Sequence, residues 1–348
     1  MANNQLTDIK SLTLEELSIV IENFGEKKFR AKQIFEWLWK KNAKSFSEMS
    51  NIPKLLISAI SEQYFIDKLS ISYEQKSNDG TIKLGFSLHD SSLIEGVLIP
   101  AENRTTACIS TQVGCAMRCE FCATAQLGFK RNLSVSEIYN QVVEINQLSL
   151  LIYKQSLSNI VIMGMGEPLL NYKNVKESIS LLTSNNGMGM SPSRITLSTV
   201  GIPKMIRQLA DDQIKYNLAI SLHAATDQLR NQIIPANLNH TLSEISDALD
   251  YFHKKTEARI TIEYLLLNNV NDSIEDATNL ALFCRRFPVK VNLIEFNSVD
   301  GIRYSPSDNK KVEAFKNYLD SKNMIVNLRK SRGKDIDAAC GQLANKIK

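Results

Sequence analysis

Three thiols stand close together in the run Cys115-Ala116-Met117-Arg118-Cys119-Glu120-Phe121-Cys122, spaced C-x3-C-x2-C, and no fourth cysteine follows at a matching interval. A structural zinc site is closed by four ligands, usually supplied as separated pairs. Three thiolates on one short loop suit a [4Fe–4S] cluster, whose irons take thiolate ligands. One iron then lacks a protein ligand and can chelate a small molecule. A zinc knuckle that borrows Cys108 as its fourth ligand is the competing reading. A second run, Met163-Gly164-Met165-Gly166-Glu167-Pro168, combines glycines that let the backbone approach a ligand with a carboxylate, Glu167, suited to an ammonium group. Alone it reads as a plain strand-to-helix turn. It gains force only by sharing an edge with the cysteine loop.

The elements that must position these residues follow from hydrophobic rhythm. From about residue 104, short apolar strands (Ala107–Ser110, Asn159–Met163, Arg194–Thr199, Asn217–Leu222, Arg259–Leu267, Val289–Phe296) alternate with helical stretches such as Ser134–Leu148, Asn174–Thr183, Leu242–Lys254 and Ile274–Phe287. Six such units predict an α/β fold, a parallel sheet closing into a partial (β/α)6 TIM-like barrel, because a full barrel needs about eight. A doubly wound open sheet is the rival topology. In both, ligands gather beyond the C-terminal ends of the strands, where both runs fall. Ahead of this core, residues 69–103 alternate around Asn78-Asp79-Gly80, a hairpin signal predicting a short antiparallel β extension. Residues 1–68 predict a small helical domain. Thr13-Leu14-Glu15-Glu16 reads as a capping box, Leu14, Leu17, Ile21, Ile34 and Leu38 recur at helical spacing, and a third helix starts after Ile52-Pro53. The predicted division is 1–68, 69–103, a core at 104–323, and a tail at 324–348.

Composition bounds what the chain can be. Its 348 residues are 43% hydrophobic and 22% charged, a globular profile. No apolar run approaches the ~20 residues that span a bilayer, and Met1-Ala2-Asn3-Asn4-Gln5 lacks the charged start of a signal peptide. These features predict a cytoplasmic protein with no membrane association, where thiols stay reduced and six cysteines point to metal or catalysis rather than a disulfide scaffold. A net charge of +4 does not by itself demand a polyanionic partner. Local basic clusters (Lys27, Lys28, Arg30 and Lys32; Lys130-Arg131; Arg329-Lys330 with Arg332 and Lys334) are compatible with phosphate contacts, although each reads equally as a solvated face.

With these motifs in place, the sequence resembles the radical S-adenosylmethionine superfamily. Three further stretches, Gly164-Met165-Gly166-Glu167-Pro168-Leu169-Leu170-Asn171, Ser221-Leu222-His223-Ala224 and Asp335-Ile336-Asp337-Ala338-Ala339-Cys340-Gly341-Gln342-Leu343, resemble the RlmN family within it. That family methylates adenine C2 of 23S ribosomal RNA and of transfer RNA; the Ala-Ala-Cys-Gly-Gln-Leu tail is shared with its relative Cfr, which methylates C8. Gly166-Glu167-Pro168 and Gly128-Phe129-Lys130-Arg131-Asn132-Leu133 look more like the C2 group.

The resemblance implies a role for each matched residue. Cys115, Cys119 and Cys122 hold a [4Fe–4S] cluster; Gly166, Glu167, Ser198, Ser221, Leu222, His223 and Asn297 line the S-adenosylmethionine pocket. Cys340 carries the methyl group, Glu95 removes the C2 proton, and Cys108 resolves the RNA–Cys340 bond through a transient disulfide. Two S-adenosylmethionine molecules are used per turnover, with flavodoxin or ferredoxin as electron donor and a monomeric enzyme. On local sequence alone, Cys108 reads as a core residue, Cys340 as an unreactive thiol, Glu95 as a solvated charge, and Cys284 as core. Two other readings stay open: a zinc-stabilised RNA-binding protein without catalysis, and a radical enzyme acting on a small substrate.

Overall fold

The computed structural model describes residues 6–345; the reading of Met1–Gln5 lies outside them. Local signals start the helices where expected. The Thr13 hydroxyl accepts from the Glu16 N–H while the Glu16 carboxylate accepts from the Thr13 N–H, opening α1 (Leu14–Asn23). Helices α2 (Phe29–Trp39) and α3 (Lys54–Ser61) follow. Leu17, Ile21, Ile34, Leu38 and Trp39 are all buried, so the helical spacing read from the sequence is the packed face.

Ten strands form one sheet. The antiparallel part comprises β1 (Ser70–Lys76), β2 (Ile82–Ser87), β3 (Leu93–Ala101) and β4 (Arg104–Cys108). From β4 onward every pairing is parallel, through β5 (Asn159–Ile162), β6 (Ile195–Thr199), β7 (Asn217–Ser221), β8 (Ile260–Leu266), β9 (Val289–Glu295) and β10 (Ile325–Arg329). Crossover helices α4 (Val135–Tyr153), α5 (Tyr172–Thr183), α6 (Pro203–Asp211), α7 (Leu242–Thr256), α8 (Ile274–Phe283) and α9 (Asn309–Ser321) join them. All seven residues of β8 are buried, as expected for a parallel strand covered on both faces.

The expected α/β partial barrel with its antiparallel extension is therefore the observed fold. Two details differ. The first parallel strand is Arg104–Cys108, earlier than Ala107–Ser110, because the chain turns away after Cys108 into the cysteine loop. A seventh parallel strand, β10, lies within the stretch read as tail. It is an edge strand whose Ile325 and Leu328 are exposed, so it carries almost no burial pattern for sequence reasoning to detect.

The N-terminal helices share a continuous apolar cluster with the core. Trp39 meets Tyr139 of α4 edge-on at 5.0 Å, and the Tyr139 hydroxyl donates to the Trp39 carbonyl. Beside them the buried Lys10 ammonium donates to Asn140 at 2.9 Å, and burial lowers its pKa to about 8 against the pull of Asp8 and Asp67.

Candidate active site

The cysteine loop leaves β4 and is held by a small hairpin, Gln112–Gly114 paired with Phe129–Asn132. At Gly114 the backbone takes φ +73°, and a Cβ there would lie 1.7 Å from the Gly128 carbonyl oxygen. Only glycine permits the approach that lets the Cys115 N–H donate to that carbonyl at 2.8 Å. Arg131, read as a possible phosphate contact, is engaged instead. It grips Glu137 of α4 with two 2.8 Å bonds and Asp90 with two 3.0 Å bonds, tying the hairpin to the barrel.

Cys115, Cys119 and Cys122 line one cavity of about 810 Å3 at the C-terminal rim of the parallel strands. Burial pushes the Cys115 thiol up to about 12, and raises Cys119 and Cys122 as well; the charge of Cys122 adds to this at Cys115 and Cys119, and that of Cys340 at Cys122. Such mutually repelling, desolvated sulfurs are suited to the positive charge of iron, which would hold them as thiolates. Among the described residues, no group of three His, Cys, Asp or Glu side chains is gathered tightly enough for one ion. Three thiols on one loop match a cluster whose ligands sit on separate irons, with no fourth protein ligand required.

Glycines 164 and 166 serve a different neighbour than expected. A Cβ on Gly164 would be 2.7 Å from the Ile109 carbonyl, and one on Gly166 would be 2.6 Å from the Gln112 Cβ. They admit the stem of the cysteine loop, fixing that loop against the end of β5. Glu167 is buried on the same wall; burial raises its carboxyl, opposed by N–H donors from Val200 at 2.9 Å and Leu169 at 3.0 Å. Ser198 and Ser221 hydroxyls are 3.1 Å apart across neighbouring strands. His223, at φ +58°, accepts the Leu265 N–H on Nδ1 at 3.0 Å and stands edge-on to Phe121 at 4.9 Å. Burial and the nearby Arg230 lower it to about 3, so its ring is neutral. Gly166, Glu167, Ser198, Ser221 and His223 all face the cavity. Leu222 does not; its side chain is fully buried and its backbone pairs with Glu263 and Arg230. Asn297 lines an adjoining cavity of about 440 Å3, and its buried Oδ1 has no donor, an acceptor left open for a ligand N–H or O–H.

Two of the three remaining cysteines line the main cavity. Cys108 ends β4 and is buried; burial and the charge of Cys340 push its thiol up to about 12, while Arg329 and the Met163 N–H pull it down. Cys340 is exposed and lines the same cavity. The segment carrying it is fastened on both sides. Before it, Asp335 accepts from the Ser77 hydroxyl at 2.6 Å and the Gly333 N–H donates to Asp79 at 3.0 Å. After it, the Gly341 carbonyl accepts from the Ala123 N–H at 2.7 Å and the Leu343 carbonyl from Thr124 at 2.6 Å.

Glu95, on β3, lies outside this cavity and is fully buried. Its Oε1 accepts the Tyr73 hydroxyl at 2.5 Å and pairs with Lys83 at 3.3 Å; its Oε2 accepts the Asn345 N–H at 3.1 Å. The reading as a solvated charge is thereby excluded. Sequence reasoning missed Tyr73 and Lys83, and read Arg329 only as part of a basic cluster; Lys83, within Ile82-Lys83-Leu84, carried a signal as a lysine inside an apolar strand. Cys284 is buried in the apolar core as expected.

Fold and site together define a radical S-adenosylmethionine protein: the superfamily profile matches residues 109–281, and such proteins use a [4Fe–4S] cluster and S-adenosylmethionine. A second profile, the ribosomal RNA large subunit methyltransferase N-terminal domain, matches residues 7–66. A protein of Christiangramia forsetii named "Probable dual-specificity RNA methyltransferase RlmN" is 48% identical over 339 residues, covering 97% of this chain and 96% of its own. The dual-specificity RNA methyltransferase RlmN of Geotalea uraniireducens is 42% identical over 340 residues, covering 98% and 97%. A crystal structure of a radical SAM methyltransferase from Sphaerobacter thermophilus superposes with TM-score 0.91 at 36% identity, covering 97% of this chain and 99% of that one. The chain belongs to the RlmN family.

Proposed function

We propose that this chain methylates C2 of a specific adenosine in the peptidyl transferase centre of 23S ribosomal RNA, and of the adenosine 3′ of the anticodon in certain transfer RNAs. The observation that carries the reading is that Cys108 and Cys340 line one cavity with Cys115, Cys119 and Cys122. Adenine C2 lies between two ring nitrogens and is too electron-poor to attack a sulfonium methyl group, so ordinary methyl transfer fails there. Cys115, Cys119 and Cys122 would hold the cluster, and Glu167, Ser198, Ser221, His223 and Asn297 would surround S-adenosylmethionine. When bound, these cofactors supply a methyl group to a thiol and, from a second S-adenosylmethionine, the carbon radical that activates that methyl group.

The chain's own residues do the rest. Cys340 accepts the methyl group on sulfur and carries it, as a methylene, into a bond with adenine C2. Glu95 takes the proton from that carbon, the bonding pair returns to the ring, and the unpaired electron left by radical addition would pass to a one-electron iron–sulfur acceptor, which restores aromaticity. The Cys108 thiolate attacks the Cys340 sulfur. A sulfur–sulfur bond forms as the sulfur–carbon bond breaks, and the released carbon takes a proton to become the methyl group. An external thiol reductant restores both cysteines. Arg329 stands near both thiols, and its charge pulls the Cys108 thiol toward its ionised form against the effect of burial.

Residues 1–68 serve as an RNA-binding accessory domain on a core at 104–323, with 69–103 as a β extension and 324–348 as the carrier segment. A target base must be extruded to enter the cavity, at a cost of a few kcal/mol that these contacts offset. The enzyme works as a cytoplasmic monomer reduced by flavodoxin or ferredoxin; among the described residues, no helix is long and apolar enough to cross a membrane. The test is Cys108→Ala incubated with RNA and cofactors. An RNA–Cys340 adduct on a denaturing gel is expected, and wild-type enzyme should yield 2-methyladenosine on digestion. Product methylated only at C8, or no adduct, overturns the reading.

A further inference from the structure

The β extension contains three features that an ordinary hairpin does not need, and all three converge on Glu95. The first is a bulge. Ile71 pairs with Phe86, yet Tyr73 rather than Ser72 pairs with Gly85, so the register slips by one residue between them. That slip turns Tyr73 onto the face that Ser72 would otherwise occupy. The second is the glycine it faces. Gly85 pairs with Tyr73 on one side and with Glu95 on the other. A Cβ at Gly85 would sit 2.1 Å from Tyr73 Cε1, so the phenol ring passes through the space of a missing side chain to reach the carboxylate two strands away. The third is a charge. Lys83, two residues before Gly85 on the same strand face, is as deeply buried as Glu95 and pairs with it at 3.3 Å.

We propose that Tyr73 and Lys83 are positioning residues for proton removal from adenine C2, and that the two oxygens of Glu95 do different work. This rests on the reading of Glu95 as the proton acceptor. Oε1 is anchored by the Tyr73 hydroxyl and the Lys83 ammonium. Oε2, whose partner is the Asn345 N–H in the Cys340 segment, is the oxygen that turns to the substrate when Asn345 swings away. Lys83 is the ion-pair partner of the buried carboxylate at 3.3 Å, and a charge held away from water needs such a partner. Tyr73 is the half-buried member of the trio and carries the proton out. The carboxyl formed on Glu95 rotates to bring its protonated oxygen to the Tyr73 oxygen and passes the proton there, while the Tyr73 hydroxyl proton, no longer donated to Oε1, goes to water; one proton leaves per turnover and all three groups return to their starting states.

The experiment uses full-length enzyme, reconstituted anaerobically, with RNA carrying hydrogen or deuterium at C2 of the target adenosine. Tyr73→Phe keeps the ring and the ion pair and removes only the hydroxyl. It should bind iron and methylate Cys340 as wild type does, but turn over roughly 10-fold more slowly, at the modest end of what general-base catalysis supplies. It should also accumulate the RNA–Cys340 adduct and acquire a deuterium isotope effect larger than that of wild type. Gly85→Ala should reproduce this pattern by blocking the ring. Lys83→Met should lose turnover, and Lys83→Arg should recover part of it. Wild-type turnover in Tyr73→Phe overturns the inference, and so does slowed turnover with an unchanged isotope effect, which would mark the contact as structural. Full turnover in Glu95→Gln would instead sink the assignment of Glu95 itself.

Discussion

Replacing Gly114 by alanine should abolish cluster assembly, whereas the same change at Gly128 should not. Both glycines hold a left-handed backbone, φ +73° and φ +70°. For an L residue that conformation alone costs about 1–2 kcal/mol. At Gly128 nothing lies within 4 Å of the added Cβ, so this is the whole cost. At Gly114 the Cβ would land 1.7 Å from the Gly128 carbonyl oxygen and 2.9 Å from its carbon, inside the 3.0 Å floor of real contacts. The obstacle is backbone and cannot rotate aside. The two strands of the small hairpin must part, and the Cys115 N–H loses its 2.8 Å bond to that carbonyl, adding about 1 kcal/mol or more. These two terms alone come to about 2–3 kcal/mol and reduce the native loop population by roughly 30- to 150-fold, before the parting of the strands is counted. The assay is iron and acid-labile sulfide per chain after anaerobic reconstitution, with far-UV circular dichroism to verify that the barrel persists. Gly128→Ala should load close to wild type and Gly114→Ala should load almost nothing. Equal loading in the two variants would refute the claim that this backbone contact sets the position of Cys115.

Other consequences can be checked separately. Trp39→Ala should cost about 3–5 kcal/mol in urea unfolding, as a large core side chain is lost beside Tyr139, while Tyr139→Phe should cost about 1 kcal/mol for one hydrogen bond. Near-equal losses would contradict the packing described. Asp79 has its carboxyl at about 2: burial raises it, but hydrogen bonds from Thr81, Gly333 and Ser77 outweigh burial. A depressed carboxyl contributes stability above its unfolded value of about 3.9, and that contribution fades as pH falls toward 2. Amide exchange at Gly333 should therefore lose protection across that window in wild type and be unprotected throughout in Asp79→Ala.

The sequence made the barrel legible because parallel strands buried on both faces read as unbroken apolar runs, as in β8. It was silent on β10, whose exposed Ile325 and Leu328 give no pattern. The cysteine loop could be read because its spacing is local. The environment of Glu95 could not, since a carboxylate on a strand looks solvated until Tyr73 is aimed at it, and that aim depends on a one-residue slip no periodicity reveals. The same holds for the glycines of β5. Their identity was visible, but their neighbour, the stem of the cysteine loop, comes from another strand.

The fastening of the chain on either side of Cys340 sets a leash on that thiol. Asp335 is moored to the β1–β2 turn and Gly341 to Ala123, six residue steps apart along the chain. Drawn taut, such a span reaches only about 20 Å. On the proposed reading, the Cys340 sulfur would have to take up its methyl group and meet Cys108 within that reach. A tether this short replaces a diffusional search with a confined swing.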